Sequence, residues 1–183
     1  RQRQMCIRDS NIGIALGGLT NGATPLEMAA AYGAIANDGV YIEPTFYTKV
    51  VDGNGNTVFE PKQESRTVMS ASAAYVVKEV LTQPVKSGTS TTLAMSGMSV
   101  AAKTGTTNND YDRWMCGFTP YYSAAVWYGY DKSETVSGWS LSPAGQIWSG
   151  VMKPAHANLE KRTFAQTKPS GVVTAKVCRD SGL

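Results

Sequence analysis

The stretch Met98 to Thr107 constrains the fold more than any other part of the chain. Met98, Val100 and Ala102 alternate with Ser99, Ala101 and Lys103, the period of two expected of a strand with one face on a core. The run ends in Lys103-Thr104-Gly105-Thr106, where one ammonium and two hydroxyls stand beside a residue with no side chain. A strand continuing through Thr106 puts Thr104 and Thr106 on one face and Lys103 and Gly105 on the other. Such an edge can hold an anion.

The chemistry follows from the residue types. Gly105 lets a bound molecule approach the backbone, since no Cβ intervenes. A carboxylate can take hydrogen bonds from the Thr104 and Thr106 hydroxyls, strengthened by the Lys103 charge. An N–H on an unpaired strand edge can also face a developing oxyanion, as acyl transfer requires. A competing motif overlaps this one. Gly97 to Thr104 differs by one residue from the phosphate loop G-x-x-x-x-G-K-[ST], with Ala102 at the second glycine. That loop must open directly into a helix, whereas residues 105–110 are rich in turn formers. Nucleotide binding therefore ranks below the carboxylate reading.

With 183 residues, 42% of them hydrophobic, the chain can bury one sizeable core. A net charge of +3, without a dense basic patch interleaved with aromatics, indicates no nucleic-acid partner. No apolar run is long enough to cross a bilayer. Cys6, Cys116 and Cys178 are too scattered for a disulfide framework, and with His156 as the single histidine no metal site and no cofactor are expected. Cys116 is expected to be a small buried hydrophobe, and His156 a solvated or locally bonded side chain near a helix end.

Taken in order, Arg1 to Ser10 shows no period and reads as foreign, an adapter or assembly artefact outside the fold. Ile12 to Thr24 is loop-like. Thr24 as N-cap, Pro25 at the first helical position and Glu27 three residues after the cap start a helix that Asn37-Asp38-Gly39 stops. Met28, Tyr32 and Ile35 share one face, and Ala29, Ala30, Gly33 and Ala34 leave room for close packing. Phe46 to Val51 and Thr57 to Phe59 flank a glycine-bearing turn as a hairpin. A second helix follows Ser70, with Ala73, Val77, Val80 and Leu81 expected inward and an end near Pro84. Ser90 to Ala94 is expected to make a short helical turn. Trp114 to Phe118 and Ser123 to Tyr130 are expected to be adjacent antiparallel strands. A closing helix spans Ala144 to Met152, with Ile147, Trp148 and Val151 at helical spacing and a stop before Pro154. Val172, Val173 and Val177 suggest a short β-like segment near the C-terminus.

Several of these segments together resemble the transpeptidase domain of class A, bifunctional penicillin-binding proteins. They are Gly17-Gly18-Leu19-Thr20, Thr24-Pro25-Leu26-Glu27-Met28-Ala29-Ala30-Ala31-Tyr32, Ala36-Asn37-Asp38-Gly39, Gly88-Thr89 and Ala102-Lys103-Thr104-Gly105-Thr106-Thr107. Asp112-Arg113-Trp114, Gly117-Phe118-Thr119-Pro120 and Val126-Trp127-Tyr128-Gly129-Tyr130 follow in the family's order. The resemblance spans residues 11–183, as the C-terminal part of that domain. It implies an α/β (α+β) fold, an incomplete form of the transpeptidase and serine β-lactamase architecture, with an antiparallel sheet packed between helices and the Lys103 strand at the active-site edge.

The implied reaction is acyl transfer from a D-alanyl-D-alanine stem peptide, cross-linking peptidoglycan, with β-lactams acylating the same serine. Lys103 then supplies positive potential, Thr104 and Thr106 hold the terminal carboxylate, Gly105 makes space, and the Thr106 N–H is an oxyanion donor. Ala102 replaces the glycine often found before the lysine. The family's S-x-x-K serine and its S-x-N motif do not occur here: Ser99 to Lys103 and Ser149 to Lys153 are one residue too long. The nucleophile is expected upstream, in a parent protein anchored at the outer face of the membrane through a preceding segment. A related D,D-carboxypeptidase or β-lactamase would share Lys-Thr-Gly.

Overall fold

In the computed structural model the described residues are 22–137, 142–164, 168–178 and 181. The segments read as foreign or loop-like before residue 22 lie outside them. Among the described residues no helix is long and apolar enough to cross a membrane.

Helix α1, Pro25–Ala36, begins where its local signals put it. The Thr24 hydroxyl accepts the Glu27 N–H at 3.2 Å while Glu27 Oε2 accepts the Thr24 N–H at 2.9 Å, so two otherwise unsatisfied donors are paired at once. It stops through Asp38 and Gly39, at φ +52° and +91°, and a Cβ on Gly39 would overlap the Met69 carbonyl. Two small antiparallel ribbons follow: β1, Val40–Ile42, pairs with β4, Ser65–Thr67, and encloses the hairpin of β2, Val50–Val51, with β3, Thr57–Phe59. The sequence predicts the β2–β3 hairpin but not the β1–β4 ribbon.

Helix α2, Ala71–Ser87, corrects two expectations. Its buried side carries Ala74, Lys78, Thr82 and Val85, while Ala73 is exposed and Val80 is 61% exposed. The polar members of that face are satisfied locally: the Lys78 ammonium pairs with Asp38, just beyond α1, and the Thr82 hydroxyl donates to the Glu79 carbonyl at 2.7 Å. A lysine stem and a bonded threonine can therefore line a core that hydropathy alone would assign elsewhere. The helix also runs one turn past Pro84, whose carbonyl accepts the N–H groups of Gly88 at 3.1 Å and Ser90 at 2.9 Å.

After a 3-10 turn at Thr91–Leu93, three strands form an antiparallel sheet in the order β5-β6-β7: Ala101–Thr106, Asp112–Phe118 and Ser123–Gly129. One face presents Ala102, Met115, Ala124, Val126 and Tyr128 to a core with Val85, Leu93, Trp148 and Met152. The other face carries Phe118 and Ser123, which meet α1 through the Tyr32 ring and through a 2.7 Å bond from the Ser123 hydroxyl to the Ala29 carbonyl. The sheet thus lies between helices.

Helix α3, Pro143–Ala155, covers the core face. It continues through Pro154, and its inward stripe is Ala144, Trp148 and Met152, at i, i+4, i+8. Ile147 and Val151, expected inward, are 45% and 62% exposed, so the buried stripe follows the i, i+4 row through Trp148 rather than these two residues. Of the two expectations for His156, the locally bonded one holds: it is buried at the end of α3, bonded to the Met152 carbonyl at 2.6 Å and to the Thr119 hydroxyl at 2.8 Å. Cys116 is buried as expected. Residues 171–178 form no strand, and Val173 is 83% exposed.

Candidate anion-binding edge

Strand β5 pairs with β6 on one side, and no strand of the described residues lies on its other side. The ladder fixes which backbone groups face that open side. The Thr107 N–H donates to the Asp112 carbonyl at 3.2 Å, toward β6. Backbone direction alternates along a strand, so Lys103 and Gly105 also bond toward β6, whereas the N–H and C=O of Thr104 and Thr106 point to the open edge.

Each predicted residue then has a definite environment. Lys103 is exposed, and its Nζ donates to the Thr104 carbonyl at 2.9 Å. That carbonyl faces outward, so the ammonium is brought around to the open edge although its Cβ lies on the opposite face from the threonine side chains. Thr104 is half-buried, with Oγ1 3.3 Å from Thr89 Oγ1. Thr106 is exposed, and its hydroxyl accepts from Arg113 Nη1 at 3.3 Å. At Gly105 a Cβ would stand 3.0 Å from Trp114 Cβ. The missing side chain therefore makes room first for the tryptophan across the ladder.

Thr89 and Arg113 complete the edge and carried no role in the sequence reading. Thr89 arrives because the exit of α2 turns tightly on itself: a Cβ at Gly88 would lie 2.8 Å from Pro84 Cα. Arg113 arrives through register, directly opposite Thr106. The seven-residue spacing of a tight two-strand connection was the signal available for it.

What gathers at this edge is an ammonium, a guanidinium, three hydroxyls and two outward N–H groups, suited to an anion and to an oxyanion beside it. The phosphate-loop alternative needs a helix after Lys103-Thr104, and a strand runs there instead. Among the described residues no cluster of three or more His, Cys, Asp or Glu could hold a metal ion.

Comparison with known proteins converges on one family. Residues 5–153 match the penicillin binding protein transpeptidase domain. Penicillin-binding protein 1A of Clostridium botulinum (strain Langeland / NCTC 10281 / Type F) is 45% identical over 176 residues, covering 96% of this chain and 21% of that relative. The chain thus spans about a fifth of such a relative's length. Among solved structures, penicillin-binding protein PonA1 from Mycobacterium tuberculosis superposes with a TM-score of 0.74 at 28% identity, over 91% of this chain and 48% of that one. The D,D-transpeptidase domain of a peptidoglycan glycosyltransferase from Eggerthella lenta gives 0.62 at 31% identity, over 74% and 32%. In sequence and in fold, the chain belongs to the penicillin binding protein transpeptidase domain family.

Proposed function

We propose that this segment, residues 11–183, is the substrate-binding C-terminal part of a serine-type peptidoglycan D,D-transpeptidase, which also reacts with β-lactams. One observation carries the reading: on the open edge of β5, Lys103 Nζ donates to the outward Thr104 carbonyl at 2.9 Å, in the same short strand that carries the Thr104 and Thr106 hydroxyls. In this reading the carboxylate that ends a D-alanyl-D-alanine stem peptide accepts from those hydroxyls in the field of Lys103. The scissile carbonyl lies against the Thr106 N–H, which stabilises the oxyanion as the tetrahedral intermediate forms. β-Lactams carry a carboxylate and a strained carbonyl in the same relation.

The attacking serine belongs to a segment outside this sequence, since no S-x-x-K occurs within it. Membrane anchorage of the parent protein is part of the same proposal. Incubation with a fluorescent penicillin should label the longer chain that carries the S-x-x-K serine and leave the 183-residue chain unlabelled. Covalent labelling of the latter would overturn the assignment of the nucleophile. In the longer chain, Lys103→Ala or Thr104→Ala should slow acylation by about tenfold or more, the effect of losing a charge-assisted contact to the substrate carboxylate. An unchanged rate would remove those roles.

A further inference from the structure

We propose that Arg113 is a positioning residue that commits the Thr106 hydroxyl to donating toward the substrate carboxylate, and so sets the preference for a charged over a neutral substrate end. The inference rests on the carboxylate reading of the β5 edge. It begins with register. Thr106 and Arg113 are directly opposite, at a position where the β5 backbone points outward rather than across the ladder. Such pairs bring their side chains closest.

Arg113 Nη1 donates to Thr106 Oγ1 at 3.3 Å, and its Nη2 lies 3.1 Å from Asp110 Oδ1. Asp110 is itself fixed: it sits at φ +59°, its N–H donates to the Thr107 carbonyl at 3.1 Å, and its carbonyl accepts the Val136 N–H at 2.9 Å. The guanidinium is therefore anchored at one nitrogen and leaves another on Thr106.

The consequence comes from donor and acceptor inventory. A hydroxyl has one proton and two acceptor positions, and a guanidinium can only donate. The Arg113 contact occupies a lone pair of Thr106 and turns its single proton away from the guanidinium. That proton is then available to a carboxylate. Thr104 differs, because its partner is another hydroxyl, Thr89, and either oxygen can be the donor.

The test uses the longer chain that carries the nucleophile, with benzylpenicillin and its methyl ester as probes that differ in that one charge. Arg113→Met should lower the second-order acylation rate for the acid about tenfold, the effect of one charge-assisted contact, while the ester changes less than about twofold. Arg113→Lys should restore part of the acid's rate. In a Thr106→Val background, Arg113→Met should bring no further loss, since the two act as one unit. An equal fall for acid and ester, or no fall in either, overturns the proposal. Thr104→Ala separates the two levels. If it changes the acid-to-ester ratio while Arg113→Met does not, Arg113 alone loses its role. If neither changes it, the carboxylate reading falls too.

Discussion

Asp112 Oδ1 accepts the indole N–H of Trp127 at 2.7 Å, tying the first residue of β6 to the middle of β7. The same carboxylate takes the Thr107 hydroxyl at 3.1 Å on Oδ2, and Thr107 Oγ1 in turn accepts the Asp112 N–H at 2.9 Å. One side chain therefore closes the connection that follows Thr106 and braces it on the neighbouring strand.

Removing that carboxylate should loosen the end of β5 and the sheet together. Asp112→Ala leaves the half-buried Trp127 N–H without an acceptor and is expected to cost about 1–3 kcal/mol. Asp112→Asn keeps one acceptor oxygen and should cost less. Urea unfolding followed by tryptophan fluorescence measures both; equal midpoints for wild type and Asp112→Ala would show that the brace contributes nothing.

Thr119 is the hub of a second polar cluster, buried between β6 and α3. Its hydroxyl accepts the N–H groups of Tyr121 and Tyr122, each at 3.1 Å, and lies 2.8 Å from His156 Nε2. Nδ1 of His156 faces the Met152 carbonyl, which can only accept, so Nδ1 donates there and Nε2 takes the Thr119 proton. Thr119→Val has the same shape but orphans three partners, and it should lose about 1–3 kcal/mol. Thr119→Ser keeps the hydroxyl and sheds a methyl group, for a loss of about 1 kcal/mol or less. The order of the two melting temperatures checks the assignment, and a serine variant as unstable as the valine variant would contradict it.

Trp148 is fully buried and donates its indole N–H to the Ala124 carbonyl at 3.1 Å. Trp148→Ala should therefore cost about 3–5 kcal/mol. Val151, three residues on, is 62% exposed, and Val151→Ala should stay within about 0.5 kcal/mol. Denaturant midpoints of the two variants test which face of α3 is inward.

That contrast also marks what the sequence reveals and what it conceals. The start of α1 was legible because every partner in its cap lies within three residues. Strands β5, β6 and β7 were legible because a period of two survives a half-buried sheet. The inward faces of α2 and α3 are legible only in part, Trp148 being the clear success, because they depend on partners elsewhere in the chain. Asp38 holds Lys78 from beyond α1, and the core of Met115 and Leu93 selects Trp148 and Met152 over Ile147 and Val151. The valines at 172, 173 and 177 have β propensity but no ladder, and propensity without a neighbour makes no strand. At the candidate edge, Lys103 to Thr106 are contiguous, so the sequence nominates them directly. Thr89 needed the sharp exit of α2, and Arg113 needed the register of β5 on β6.

Cys116 provides a prediction in pH. Burial pushes its thiol from an ordinary 9.0 up to about 11. The thiol is an acid whose folded value lies above its unfolded one, so the folded state favours the protonated form. Its contribution to stability is fully present below about pH 9 and is lost as pH rises from about 9 to about 11. Cys116→Ala removes this titration. Between pH 9 and 11 the wild type should lose more stability than the variant, although the variant starts lower because of the lost packing. At pH 8 native Cys116 should resist iodoacetamide while the exposed Cys178 reacts, and unfolding in urea should equalise them. Peptide mapping by mass spectrometry distinguishes the sites. Rapid native alkylation of Cys116, or parallel pH profiles for wild type and Cys116→Ala, would show that β6 does not seal this thiol from solvent.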